Sequence, residues 1–457
     1  MRLHSPLLAA LTLAAGCATG GVSAGPASAD AIAKLERQQQ TSPSSANVNR
    51  SLGIAYYHTR RYADARRALE TAARLDPKDG TTALYLGLTA EAQNDLPAAR
   101  QAYASYVQFG RTSRVRAQLQ ARLAALARAE LEADAKAAVR QESTLGAQPG
   151  SPRTVAVLPL RFSGTDSSLK PLERGFADLL TTDLARSAQL TIVERARLQA
   201  LLDEMALQQG SATDASTNVR AGKLVRAGRV VQGSLLQLDA SQLRVDAAVV
   251  NVPTTQVQGV AQGADQLDQV FTLEKKIALD LFRELGVTLT VAERNAIEQR
   301  PTRSLAAFLA YSRGLEAEDA GRYDDASRLY NDALRLDPGF GAARQRGQDA
   351  RTISAGSAVS AHSVEAGLSG TAEGAVVTAA SQGSTSAGGA TSLASTVLSA
   401  ANELNGSAAD AATSAASASA KSPTSVPTRE PVTSGLNVET PVGTGTITLT
   451  IPRPKLP

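Results

Sequence analysis

Apolar residues fall at helical spacing in the first third of the chain, turn strand-like in the middle and thin out toward the end. Val115, Leu119, Leu123, Leu126 and Leu131 form one stripe, which predicts a long helix from about Ser113 to Gln141. A linker with Gly and Pro follows, from Glu142 to Pro152. Arg153-Thr-Val-Ala-Val-Leu-Pro-Leu160 is a compact apolar run of the kind a buried strand shows. Leu172, Phe176, Leu179, Leu180 and Leu184 predict an amphipathic helix, with Asp178, Thr182, Asp183 and Arg186 on its polar side. Leu190 to Leu198 reads as a short strand running into a helix over Ala196–Gln208, and Asn218–Ala227 as a further helix. Strands are predicted near Arg229–Leu238, Leu243–Val252 and Thr255–Gly263, joined by turns at Asp239–Ser241 and Pro253–Thr255. In Leu243-Arg-Val-Asp-Ala-Ala-Val249 the apolar positions alternate, as on a sheet with one wet face. A long helix over Leu267–Leu285 closes this region. Thr290 and Glu293 then have capping-box spacing and predict a short helix to about Gln299.

The helical first third is self-similar. Leu52 and Gly53 recur 34 residues on as Leu86 and Gly87, and Ala65 recurs as Ala99. Tyr56, Leu69, Ala72 and Pro77 complete the first copy. The small residues suit close helix crossings, the large ones fill the groove between paired helices, and Pro77 stops the second helix. This pattern resembles the tetratricopeptide repeat, whose period it shares. In the second copy Ala90 stands for the aromatic and Arg111 for the proline. A third copy lies far downstream. Gly314, Tyr323, Ala326, Tyr330, Ala333 and Pro338 correspond to Gly53, Tyr62, Ala65, Leu69, Ala72 and Pro77 at a constant shift of 261. The resemblance implies peptide binding on the inner face of the array, or a spacer or dimer contact. A lone repeat cannot bury its own groove, so the third copy is expected to pack on the central region, on the first array or on a partner.

Met1–His4 is basic, Leu7–Ala15 is apolar, and Leu13-Ala-Ala-Gly-Cys17 follows. The stretch resembles a bacterial lipoprotein signal, with the chain's one cysteine at the lipidated position and Ala14 where Leu is more usual. Residues 1–16 are thus read as a signal peptide, Cys17 as the lipid anchor, and residues 17–43 as a flexible tether. Ala18 after the cysteine favours the outer membrane by analogy with enteric sorting. At the other end, residues 354–457 are dominated by Ala, Ser, Gly and Thr and are read as a disordered tail. Gly445-Thr-Ile-Thr-Leu-Thr-Ile451 alternates, and is read as a mobile terminus or an added edge strand.

In the middle of the chain, Val-Ala-Val-Leu-Pro-Leu160, Leu172-Glu-Arg-Gly-Phe-Ala-Asp-Leu-Leu-Thr-Thr-Asp-Leu184, Ile192-Val-Glu-Arg195 and Gly228–Gly233 occur in that order. Together they resemble the CsgG family, over residues 153–286. The resemblance implies an envelope lipoprotein that works by assembly and contact, with no active-site residues to carry over. It leaves open a curli-type oligomeric secretion channel and an activator of peptidoglycan synthases. A membrane barrel needs about 9–11 outward-alternating residues per strand, and no surplus hairpin pair stands out. The expected architecture is α+β: a CsgG-like sheet-and-helix domain (153–286) between repeats with a capping helix (44–143) and C-terminal helices holding one repeat (287–345). The repeat-packing residues are expected to be Leu52, Gly53, Tyr56, Ala65, Leu69, Pro77, Leu86, Gly87, Ala99, Gly314, Ala326, Tyr330 and Pro338.

Composition narrows the chemistry. Hydrophobic residues make up 43% of the 457, which suits a globular chain, but aromatics are 4% and Trp is absent. A net charge of +4 is small for this length, and no basic stripe with interleaved aromatics points to nucleic acid. Three His and one Cys leave little for a metal site or nucleophilic triad. Neither cofactor, metal nor enzymatic activity is expected. Asp178 and Asp183 are read as a solvated face, and Glu194 with Arg195 as the start of a helix. Gly228–Gly233 lacks dinucleotide-binding spacing. The expected partners are other envelope proteins and the membrane through its lipid, with homo-oligomerisation left open.

Overall fold

The computed structural model describes residues 27–145, 149–209 and 215–385. Cys17, the signal segment 1–16 and Gly445–Ile451 lie outside them.

The described chain begins with five helices: α1 (Ala29–Thr41), α2 (Ala46–His58), α3 (Tyr62–Leu75), α4 (Gly80–Ala92) and α5 (Leu96–Phe109). Then comes the long α6 (Ser113–Arg140), followed by the single turn α7 (Glu142–Leu145). Residues 29–41 correct the reading of 17–43 as a tether. Ala31, Ile32 and Leu35 share one face of α1 and cover the open side of the first repeat, and Leu35 is fully buried. A short segment that looks like a linker becomes a helix because its neighbour supplies the rest of a core.

The central region forms one mixed sheet. Strands β1 (Ser151–Val157), β2 (Arg161–Ser163), β3 (Thr191–Ile192), β4 (Ala227–Gln237), β5 (Gln242–Asn251) and β6 (Val257–Gln266) are ordered β3-β1-β4-β5-β6, with β2 also on β4. The pairs β1–β3, β1–β4 and β2–β4 are parallel, while β4–β5–β6 is an antiparallel meander. Helices α8 (Leu172–Leu184), α9 (Arg195–Gln209), α10 (Ala215–Leu224) and α11 (Val270–Glu284) flank it. The second half of β1, Val155–Val157, is apolar at every position because both its faces are covered there. Val155 and Val157 join the core with α8 and α11, whereas Ala156 and Leu158 join a second core with α9, α10 and the end of α6. On β5, Leu243, Val245, Ala247 and Val249 are buried and Arg244 is exposed.

The chain continues through α12 (Val291–Ile297), α13 (Leu305–Asp319), α14 (Tyr323–Leu336) and α15 (Gly341–Ser357). A capping box at Thr290 and Glu293 opens α12. Helices α13 and α14 are the third repeat. They bury their groove against the central region, for Phe308, Tyr311 and Leu315 belong to the same core as Phe176 and Phe271. On its other side α15 packs along α6. The long helix therefore touches the first array, α9 beside the sheet and the helix that follows the third repeat.

Two more helices follow, α16 (Ala361–Leu368) and α17 (Ala372–Ser381). They correct the reading of a disordered tail from residue 354. Val364, Leu368, Val377 and Ala380 are buried in the core of the first array, among Leu52, Tyr85 and Tyr106. Composition undercounted this segment because its few apolar residues complete a core that lies some 250 residues upstream.

Candidate interaction site

Each repeat is closed by one glycine and one large residue. A Cβ on Gly53 would stand 2.4 Å from the Leu69 side chain, on Gly87 2.3 Å from the Tyr103 ring, and on Gly314 2.5 Å from the Tyr330 ring. Real Cβ contacts are never that short, so these crossings exist because the side chain is absent. Leu52, Tyr56, Ala65, Leu69, Ala99, Ala326 and Tyr330 are buried at the helix contacts, and Leu86 is partly so. Pro77 and Pro338 are exposed just past the ends of α3 and α14.

The face of the first array presented by α2, α4 and the start of α6 is aromatic and donor-rich. Tyr57, His58 and Tyr85 pack edge to face, with centroids 5.4–5.8 Å apart. This face is filled by α16 and α17. Tyr85 donates to Glu365 at 2.8 Å, and His58 Nε2 lies 3.5 Å from the same carboxylate. Burial pushes the His58 imidazole below its ordinary range, and Glu365 offsets part of the fall. Glu373 is held by four donors: the Tyr106 hydroxyl at 2.8 Å, the Arg111 and Thr112 amides at 3.0 and 3.1 Å, and Thr112 Oγ1 at 2.5 Å. Gly80 permits the approach, since a Cβ there would sit 2.7 Å from Gly110 Cα and 3.2 Å from Glu373. Glu365 and Glu373 were missed in the sequence because they lie in a segment whose composition reads as unstructured.

A second polar cluster joins the third repeat to the central region. Asp178 on α8 accepts from Tyr311 at 2.7 Å and Arg346 at 2.6 Å. Arg195 bonds Asp319 at 2.5 Å and Glu318 at 2.9 Å, and its Nε lies 3.5 Å from Asp178. Arg174 reaches Asp319 at 2.9 Å, Arg346 reaches Glu318 at 3.1 Å, and Tyr330 donates to Glu318 at 2.6 Å. Asp178, Glu318 and Asp319 thus face three guanidinium groups, with Glu316 a further carboxylate 3.6 Å from Arg174. Burial alone would raise the Glu318 carboxyl, but Arg346 and Arg195 outweigh it and hold it below its ordinary range. Here the sequence expectations are overturned. Asp178 and Asp183 are 4% and 2% exposed, not solvated, because α13 and α11 pack on α8 and Arg346 of α15 reaches Asp178. Arg195 is a cross-domain ion partner and not merely the start of α9. A helix's polar side says nothing about what later lands on it.

Asp183 belongs to a separate buried group, in which Lys275 bridges it at 2.5 Å and Glu274 at 2.9 Å. Burial pushes the Glu274 carboxyl up to about 8 from an ordinary 4.5; Asp183 adds to the rise and Lys275 opposes it. Between those values the folded chain keeps a proton that the unfolded chain releases, so stability falls as pH rises through that window. The slope for one such proton approaches about 1.4 kcal/mol per pH unit. Thermal melts should show Tm falling across this range in wild type and a flatter profile in Glu274→Gln. An equally steep profile in the variant would remove Glu274 as the cause.

Among the described residues no group of His, Cys, Asp and Glu could hold a metal ion, and no helix is long and apolar enough to cross a membrane. What these surfaces offer is directed recognition of carboxylates and helix-on-helix contact.

Comparison with known families agrees with the geometry. Residues 136–270 match the family described as curli production assembly/transport component CsgG. Residues 26–79 and 50–114 match the tetratricopeptide repeat. The matched span runs from the last turn of α6 through β6. No curated protein matches the chain. Among solved structures, the C-terminal domain of LpoB from Salmonella enterica is similar over 28% of this chain and 93% of that one, at 17% identity and a TM-score of 0.21.

Proposed function

We propose that this chain is a non-enzymatic lipoprotein of a bacterial outer membrane, anchored through Cys17 and facing the periplasm. It acts by protein–protein contact in envelope assembly or secretion, and its partners are other envelope proteins. The observation that carries this reading is the joining of a CsgG-family segment to tetratricopeptide repeats in one chain. The stretch resembling a lipoprotein signal, which ends at Cys17, supports it, and a multiply acylated cysteine there would hold the chain stably, since more than one lipid chain is needed for a stable hold on a membrane. The third repeat supports it too, because its shared core with the sheet region turns the two kinds of module into one surface.

Palmitate labelling in a bacterial host tests the anchor. Label should enter the wild-type chain and be lost from Cys17→Ser, which should move from the membrane to the soluble periplasmic fraction. In-cell crosslinking followed by mass spectrometry tests the role. Equal labelling of wild type and variant would overturn the anchor, and crosslinks confined to cytoplasmic proteins would overturn the envelope role.

A further inference from the structure

The segment 359–385 is built like a ligand rather than like the rest of the core. Its two helices span 8 and 10 residues, too short to persist alone in water, so their helicity depends on docking. Its apolar anchors are few: Val364, Leu368, Val377 and Ala380. Gly367 lets α16 lie close on α6, where a Cβ would stand 2.9 Å from Val115. What gives the docking its register is charge. Glu365 and Glu373, eight residues apart, meet separate donors on the array: Tyr85 for Glu365, with His58 Nε2 3.5 Å away, and Tyr106, Arg111 and Thr112 for Glu373. The donors all belong to the array, and the two acceptors both belong to the segment. Unlike the third repeat, this segment has no part in the core of the sheet region.

We propose that the groove of the first array is a binding site for an acidic helical segment, that residues 361–381 are its resident ligand in cis, and that another acidic helix enters only by displacing them. The two carboxylates select the ligand. Each lies against hydroxyl or amide donors in a partly desolvated site, where such bonds are strong and where a neutral or basic replacement leaves donors unpaired. Docking and helix formation are one event, so the segment leaves as a unit. This deepens the reading of the chain as an interaction factor by naming its recognition surface, but its test needs no partner.

The probe is a fluorescein-labelled synthetic peptide of residues 359–385, added to the full chain and followed by anisotropy. Glu365→Gln combined with Glu373→Gln should release the resident segment, and the peptide should then bind at least about tenfold more tightly than to wild type. The same peptide carrying Glu373→Gln should bind about tenfold or more weakly, as should the unmodified peptide to the opened chain with Tyr106→Phe added. Failure of the opened chain to take up the peptide, or equal binding of the acidic and neutral peptides, would overturn the proposal. Hydrogen exchange on the wild-type chain gives a second reading that requires no variant to fold. Amides of α16 and α17 should exchange at least about tenfold faster than those of α4, because local opening precedes global unfolding. Equal protection would make the segment a fixed part of the core and overturn the idea. Envelope crosslinks with a failed peptide test would leave the functional reading standing and place the contact elsewhere; binding without such crosslinks would do the reverse.

Discussion

Arg195→Ala is expected to destabilise the folded chain by about 3–5 kcal/mol, toward the lower end of that range. The side chain is mostly buried and serves Asp319, Glu318 and Asp178 at once. Its removal leaves three buried carboxylates facing two guanidinium groups, Arg174 and Arg346. The loss is held to the lower end because Asp319 keeps Arg174 and Glu318 keeps Arg346. Arg195→Lys retains the charge but cannot reproduce the fork that grips Asp319 and Glu318 together, so it should recover part of the loss. Urea denaturation followed by circular dichroism reads both. A change of about 1 kcal/mol or less for the alanine variant would be the behaviour of an exposed pair, and would remove the cluster as the lock between repeat and sheet region.

Phe308→Ala should cost about 3–5 kcal/mol by the same measurement. Phe308 is fully buried, lies edge-on to Phe271 at 5.3 Å and stacks with Tyr311 at 6.3 Å. Its ring also sits where a Cβ on Gly175 would come within 2.9 Å, so α8 and α13 are in close contact and cannot collapse further into the void. The deletion removes transfer energy and leaves a cavity, and the two losses add. Leu336→Ala on the next helix is the control. That side chain is 53% exposed and its loss should change stability by no more than about 0.5 kcal/mol. Similar effects at the two positions would mean that the third repeat does not share the core of the sheet region.

Much of this architecture is legible from the residues in order. The helix Leu172–Leu184 can be read because its apolar stripe is complete within thirteen residues. The glycine clamps can be read because a repeat presents the same crossing several times, and Gly53, Gly87 and Gly314 keep their places relative to Leu69, Tyr103 and Tyr330. Strand β1 shows itself by being apolar on both sides. The misreadings share one cause. Asp178, Asp183 and Arg195 look like solvated or capping residues within their own helices, and α16 and α17 look like a polar, small-residue tail. In each case the deciding partner is elsewhere in the chain, as with Arg195 and Asp319, 124 residues apart, or Arg346 and Asp178, 168 apart.

The sequence by itself determined the kinds of element, the repeat period, the sheet-and-helix character of the middle region and the family to which it is similar. Those follow from spacing and side-chain shape, which act between near neighbours. Only the tertiary structure decided which charges are buried, where the lone repeat rests and what fills the groove of the first array. Burial is not a property of a residue or its helix. It is conferred by whatever surface arrives to cover it, and here that surface is a repeat and two short helices from the far end of the described chain.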